Sequence, residues 1–193
     1  MTELPAWELD FHFLAGRLCL DLVATVGERW RRRFERMRTP EDMGRWFVEA
    51  GLLTQPPPVT REELEAARRL REAIDRAARG LPEGREPSSG DVALINLAAA
   101  PADLVPQLQA GGRRSWGGTV TATAALSTVA RDAVDLLSGP LRARIRECAR
   151  PDCALLFVDT SRPGQRRWCS MAGCGNRTKT AAYRRRQAGG VQP

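Results

Sequence analysis

Apolar residues recur at helical spacing along most of the first 140 positions, between recognisable start and stop signals. Leu14, Leu18, Leu22, Val26 and Trp30 fall at steps of four, which predicts one apolar helical stripe over residues 14–30. The next helix is better delimited. Thr39 offers an N-cap, Pro40 suits the first helical position, and Glu41 and Asp42 complement the helix dipole. Met43, Trp46, Phe47 and Ala50 form its face, and Gly51 ends it. Pro56-Pro57-Pro58 makes a stiff connector. Thr60 and Glu63 then form a capping box that opens a third helix, whose Leu64, Ala67, Leu70, Ile74 and Ala77 recur at three and four.

The pattern changes after Gly80. The run of Pro, Gly, Ser and charge from Gly80 to Gly90 reads as a mobile loop, followed by a short helix from Asp91 to Ala100. Residues 104–109 and 114–121, separated by Ala110-Gly111-Gly112-Arg113, predict two strands and a glycine turn, with Pro106 demoting the first to an edge. A longer helix over residues 121–137 packs Leu126, Val129, Ala130, Ala133 and Leu137, and Gly139-Pro140 stops it. A domain boundary is expected there. Residues 141–147 fit strand or helix, Ala154 to Val158 predicts a short strand, and Thr178 to Gln187 predicts a basic helix. The fold class that follows is mostly α with a small β-hairpin (α+β): a helical domain over residues 1–140, a small module over 141–187, and a disordered tail at 188–193.

Charge divides the chain at the same point. Residues 1–140 hold 18 arginines against 20 acidic residues, whereas from Leu141 onward 11 arginines and one lysine face only Glu147, Asp152 and Asp159. The overall charge of +7 therefore conceals a first part at −2 and a second at +9. No run of about 18 apolar residues is present to span a bilayer, and the start of the chain lacks the basic-then-apolar pattern of a signal peptide. A cytoplasmic location is the expectation. Thiols stay reduced in that compartment.

Reduced thiols make the cysteines informative. Cys148, Cys153, Cys169 and Cys174 read Cys-x4-Cys, fifteen residues, Cys-x4-Cys, each pair enclosing a short turn that can bring two thiolates onto one ion. Four thiolates complete the tetrahedral shell of a single Zn2+ and leave no position for substrate, so the site is structural. Iron is the other metal such ligands admit. A module of about 45 residues cannot bury enough apolar surface to fold unaided, and structural zinc contributes on the order of 10 kcal/mol in such modules. The fifth cysteine, Cys19, lies beside the Leu18 and Leu22 stripe and reads as a small buried thiol.

Cys174-Gly175-Asn176-Arg177, with Cys169, the Cys148 pair, Phe157-Val158-Asp159, Ser161-Arg162 and Arg167-Trp168-Cys169-Ser170-Met171, resembles the CGNR zinc finger over about residues 141–187. Upstream, Gly16 with Leu20-Asp21-Leu22-Val23-Ala24-Thr25 resembles the opening of the mostly helical ABATE domain, which commonly precedes that finger. The family's usual Asn before the Thr is replaced by Ala24. The resemblance implies a bacterial transcription regulator, sometimes described as stress-induced, in which the finger binds DNA and the helical domain senses an effector.

The residues point the same way. The basic set available to nucleic acid is Arg162, Arg166, Arg167, Arg177, Lys179, Tyr183, Arg184, Arg185 and Arg186. On a helix, Lys179, Tyr183 and Arg186 share one face at i, i+4 and i+7, with Arg184 and Arg185 turned away. Asn176 as a helix cap, Arg177 paired with Asp159, and Trp168 packed over the metal are the structural alternatives to nucleic-acid contact. A homodimer is the common arrangement of DNA readers. Asp21 and Thr25, four apart in an otherwise apolar stretch, are the candidates for a small-molecule effector pocket. His12 is the chain's single histidine, with no nucleophile motif or phosphate loop beside it, so no enzyme is expected. Two other function classes stay open at this point: a zinc-stabilised RNA- or protein-docking module, and an enzyme of unknown reaction.

Overall fold

A computed structural model describes residues 5–189. Its helices are α1 (Leu18–Val23), α2 (Pro40–Glu49), α3 (Arg61–Gly80), α4 (Ser89–Ala99), α5 (Ala122–Ser138) and α6 (Asn176–Gly189). Three separate antiparallel pairs accompany them among the described residues: β1 (Val26–Gly27) with β2 (Phe34–Glu35), β3 (Val105–Leu108) with β4 (Arg114–Gly117), and β5 (Ile145–Glu147) with β6 (Leu156–Val158). The mostly helical class holds, with three hairpins in place of the expected one.

Both predicted helix starts in the first part are capping boxes. Thr39 accepts from the Asp42 amide while the Asp42 carboxylate accepts from Thr39, and Thr60 and Glu63 make the same exchange. Ser88 caps α4, which starts at Ser89, two residues before the expected start, and a 3-10 turn at Leu81–Glu83 with Arg85 N donating to Gly80 O gives structure to the predicted loop. At the end of α5 it is Leu136 that is fully buried, whereas Leu137 is only half-buried. The predicted β3–β4 hairpin forms as an exposed ribbon, with Pro106 opposite Trp116. At the other end α6 runs on to Gly189, past the residue 188 at which a tail is expected, and residues 190–193 of that expected tail lie outside the described residues.

The stripe over residues 14–30 does not form one helix. Gly16 takes a left-handed φ of 77°, α1 stops at Val23, and the chain then doubles back through β1 and β2, with Glu28 and Arg33 at positive φ. Leu14 and Trp30 are 43% and 60% exposed, so the ends of the supposed stripe do not reach the core. The hairpin is favoured by a close approach: Gly27 lies against the Phe34 ring, where a Cβ would come within 2.3 Å of Phe34 Cζ. Helix α1 is capped from a distance. Asp132 of α5 accepts from the Cys19 amide at 2.8 Å and pairs with Arg17 at 2.8 Å.

Helices α1, α3, α4 and α5 pack together around Leu20, Leu22, Leu70, Ile74, Val129 and Leu136. The core does not stop at residue 140: Ile145, Leu156, Phe157 and Val158 belong to the same buried cluster as the helices. Polar contacts reinforce this continuity. Val158 N donates to Ala15 O at 2.9 Å, Arg79 reaches Ala154 O at 2.6 Å and Glu147 at 2.7 Å, and Trp30 Nε1 donates to Glu147 at 2.6 Å. Thr25, Arg29, Glu35, Arg71, Glu72 and Asp75 form a polar network under the β1–β2 hairpin. Burial would raise the Glu72 carboxyl, but hydrogen bonding and charge from Arg29, with Arg71, hold it at about 2.

A shared core predicts shared unfolding. Phe157→Ala should cost about 3–5 kcal/mol and lower the midpoint of a single transition seen in both far-ultraviolet dichroism and zinc release. Two separate transitions, with only the zinc-release one displaced, would show that the parts unfold independently.

Candidate metal centre and its basic flank

Two turns carry the four cysteines. Cys148 follows β5, and its amide donates to Leu155 O across the hairpin; Cys153 closes the first turn by donating to Arg150 O. Ala154, at φ 57°, redirects the chain into β6. The second turn starts at Cys169. Ser170 accepts from the Gly173 amide, a π-helical turn spans Met171–Gly175, and Gly175 N donates to Ser170 O at 3.0 Å. Cys174 lies in that turn, which continues directly into α6, where Thr178 Oγ1 donates back to Cys174 O at 2.8 Å.

The four sulfurs lie within 4.8 Å of one another, with Cys153 and Cys169 3.7 Å apart and Cys169 and Cys174 3.5 Å apart. All four are free thiols. Sulfurs around a tetrahedral zinc, at Zn–S near 2.3 Å, stand about 3.8 Å apart, so the donor set fits that ion. The thiols share protons closely: hydrogen bonds from Cys153 and Cys169 favour the thiolate at Cys148, and contact with Cys148 raises Cys153 and Cys169. Thiols this close can all ionise only around a cation. Bound there, the metal supplies cross-linking and charge neutralisation; its shell of four thiolates is closed.

The surrounding residues hold the turns. Arg150 pairs with Asp152 and brings Nη1 to 4.0 Å from Cys174 Sγ. The Asp159 carboxylate is buried and accepts from the amides of Ser161 and Arg166 at 2.9 and 2.8 Å. Asp159 thus folds the intervening loop, and the expected Arg177–Asp159 pair does not form. Asn176 is an exposed residue of α6, the capping position being held by Ser170. Trp168 packs beside the metal turn, as expected: a Cβ on Gly175 would stand 2.8 Å from Met171 Sδ and 3.2 Å from Trp168 Cδ1.

The predicted basic set separates into two groups. Arg166 is turned into the finger, 4.6 Å above the Phe157 ring and donating to the carbonyls of Trp168 and Cys169. Arg162, Arg167, Arg177, Lys179, Tyr183 and Arg184 are exposed, Arg167 lying over Trp168 and Tyr183 accepting from Gln187. Arg185 and Arg186 lie on α6, but their side chains are outside the described residues. Asp21 and Thr25 are both buried and face different partners. Asp21 accepts from the Ala15 amide at 3.0 Å, and burial pushes its carboxyl up to about 7; Thr25 donates to Leu22 O and accepts from Arg71. His12 is exposed as a residue but lines a recess, where partial desolvation of its ring, then the nearby Arg36 charge, lowers its pKa.

Two family models match the chain over these elements. Residues 16–140 match the ABATE model, whose description reads "Putative stress-induced transcription regulator". The chain belongs to the ABATE family. Residues 144–187 match the CGNR zinc finger, so the four-cysteine centre is that of a CGNR finger able to hold one zinc ion. Neither family is enzymatic as described. No curated protein matches the chain. Among the described residues, no helix is long and apolar enough to cross a membrane.

Two residues have roles that the sequence reading does not assign. Arg166 resembles its basic neighbours in sequence and differs only in the aromatic ring and carbonyls it meets. Ser170, three residues before Gly173, is a cap of ordinary spacing that the sequence does show.

Cys174→Ser should reduce zinc content below one per chain and increase release to a colorimetric chelator; Gly175→Val should retain the ligands but release zinc faster, because its branches meet Trp168. The Asp21 carboxyl has a raised folded pKa, so the unfavourable contribution grows as pH rises from about 4 to about 7 and is constant above. Asp21→Asn should therefore flatten this part of the stability profile in urea melts, gaining up to about 4 kcal/mol at pH 8 relative to pH 4.

Proposed function

We propose that the chain is a zinc-dependent, DNA-binding transcription regulator of the cytoplasm and not an enzyme. In this reading residues 1–140 form the sensing domain, residues 141–187 form the DNA-binding finger, and a small molecule modulates the pair. The observation that carries it is the unpaired charge of the finger. Most arginines of the first 140 residues are in ion pairs, whereas Arg162, Arg166, Arg167, Arg177, Lys179 and Arg184 have no carboxylate partner among the described residues. Five of these six side chains are exposed: Arg177, Lys179 and Arg184 on the helix that begins two residues after Cys174, and Arg162 and Arg167 in the loop before Cys169. Such a surface suits phosphate contact, with α6 supplying Lys179, Tyr183 and the following arginines to a groove. Arg166 acts differently here, as a support of the finger. A homodimer would give the reader two half-sites.

Binding of the zinc-loaded chain to duplex DNA should fall with salt at a logarithmic slope of about −0.9 per phosphate neutralised. Replacing Arg184, Arg185 and Arg186 together by Ala should weaken binding at least tenfold and reduce that slope, with zinc content unchanged. Arg166→Ala should instead lower zinc retention. Affinity that is insensitive to both salt and the triple substitution would remove DNA as the partner, and stronger retention on single-stranded RNA would replace it.

A further inference from the structure

A cavity of about 260 Å³ lies between the first part of the chain and the finger. Segments around His12, Val23–Arg29 and Phe34–Arg36 form one wall, and the Arg150–Leu155 and Cys169–Cys174 turns form the other. Much of its lining is apolar, including Leu14, Val23, Val26, Phe34 and Leu155. Its three carboxylates are already engaged: Glu8 and Glu28 by Arg32 at 2.7 and 2.8 Å, and Asp152 by Arg150. Arg29 is likewise occupied, by Glu72 at 2.9 Å and Asp75 at 3.5 Å.

Arg36 differs from all of these. It is only 6% exposed, yet no carboxylate lies within ion-pair distance among the described residues. Its Nε donates to Glu8 O at 2.9 Å and its Nη1 to Ala24 O at 3.0 Å, while the Phe34 ring lies 4.8 Å from its guanidinium carbon. Nη2 has no protein acceptor among the described residues. The side chains of Glu8, Asp10, Glu35 and Cys153 act on this charge from a distance, and none of them accepts a hydrogen bond from it. A buried guanidinium held rigidly by two carbonyls, with a remaining donor and no counter-ion, is a preformed anion receptor.

We infer that this cavity binds a small monocarboxylate with an apolar body, its carboxylate on Arg36 Nη2 and its body against Val23, Val26 and Leu155. The inference gives a chemistry to the effector of the regulator proposed above and rests on that reading. His12 and Arg177 stand in the same lining, as a neutral donor and a second cation. A single charge is matched because Arg29, Arg32 and Arg150 are already neutralised by carboxylates, which leaves Arg36 and Arg177 as the cations of the lining without a carboxylate partner among the described residues. Occupancy also has a route to the finger, since one molecule would touch the first part of the chain and Leu155, which follows the first metal turn, in a cavity that the second metal turn also lines.

Titration calorimetry on the zinc-loaded full chain tests the site, with benzoate, phenylacetate and octanoate as probes and benzyl alcohol and inorganic phosphate as controls. At least one carboxylate should bind at one per chain, tenfold or more above both controls. Arg36→Met should weaken it tenfold or more. Leu14→Trp, which fills the cavity from its exposed edge and leaves Arg36 intact, should do the same with zinc content unchanged, and it decides the case if Arg36→Met loses zinc. Failure of all three carboxylates, phosphate binding equal to theirs, or undiminished binding by Leu14→Trp overturns the inference. DNA retention measured on the same samples separates the two ideas. Carboxylate binding without DNA binding leaves the site and removes the regulator, and the opposite result removes the site alone.

Discussion

Four thiols brought within 4.8 Å of one another are the constraint on which the carboxyl-terminal part of the structure depends. Left to themselves they must share protons, and a divalent cation is what lets all four ionise together. To bring them there the chain turns back twice, once between β5 and β6 and once through the π-helical turn that opens α6. The loop between the turns is then folded by Asp159, and Arg166 spans from the Phe157 ring to the backbone of Cys169. Yet the metal is not the finger's only support. Phe157 and Val158 are buried in the helical core, so the small module draws on apolar burial that its own length could not supply.

Arginine does three different jobs in this molecule. In the first part it mostly neutralises carboxylates, as in the Arg29, Arg71 and Glu72 network, where opposite charges offset the cost of burial. At the junction Arg79 ties Ala154 and Glu147 to α3 and stacks on Trp30. In the finger most described arginines lack a carboxylate partner, and Arg162, Arg167, Arg177 and Arg184 are exposed. The contrast is sharper than the net charges imply, because acids near the finger are either spent within it, as Asp152 and Asp159 are, or turned to the junction, as Glu147 is.

Much of this was legible in the residues, and the rest was hidden for definite reasons. Thr39 and Thr60 announced their helices because a cap and its partner lie three positions apart, within reach of local reasoning. The cysteine pairs did the same. The stripe at 14–30 misled because a step of four records only periodicity, and Gly16 at positive φ and the Gly27–Phe34 contact override it. Asp132 capping α1 and Asp21 bonding Ala15 depend on neighbours that the fold supplies. Arg166 could not be separated from Arg162 and Arg167 by type. The cavity at Arg36 was invisible for the same reason, since its walls come from segments more than a hundred residues apart.

Because the turn that holds Cys174 runs into α6 without a break, the helix has no freedom of rotation about its own axis relative to the metal. Each residue advances an α-helix by about 100°. The direction in which Lys179 and Tyr183 point is therefore set by counting from Cys174, much as the angle of a key is set by its bow. One residue added or removed within that span would keep every charge and every ligand, and still swing the basic face more than a quarter turn from where it now looks.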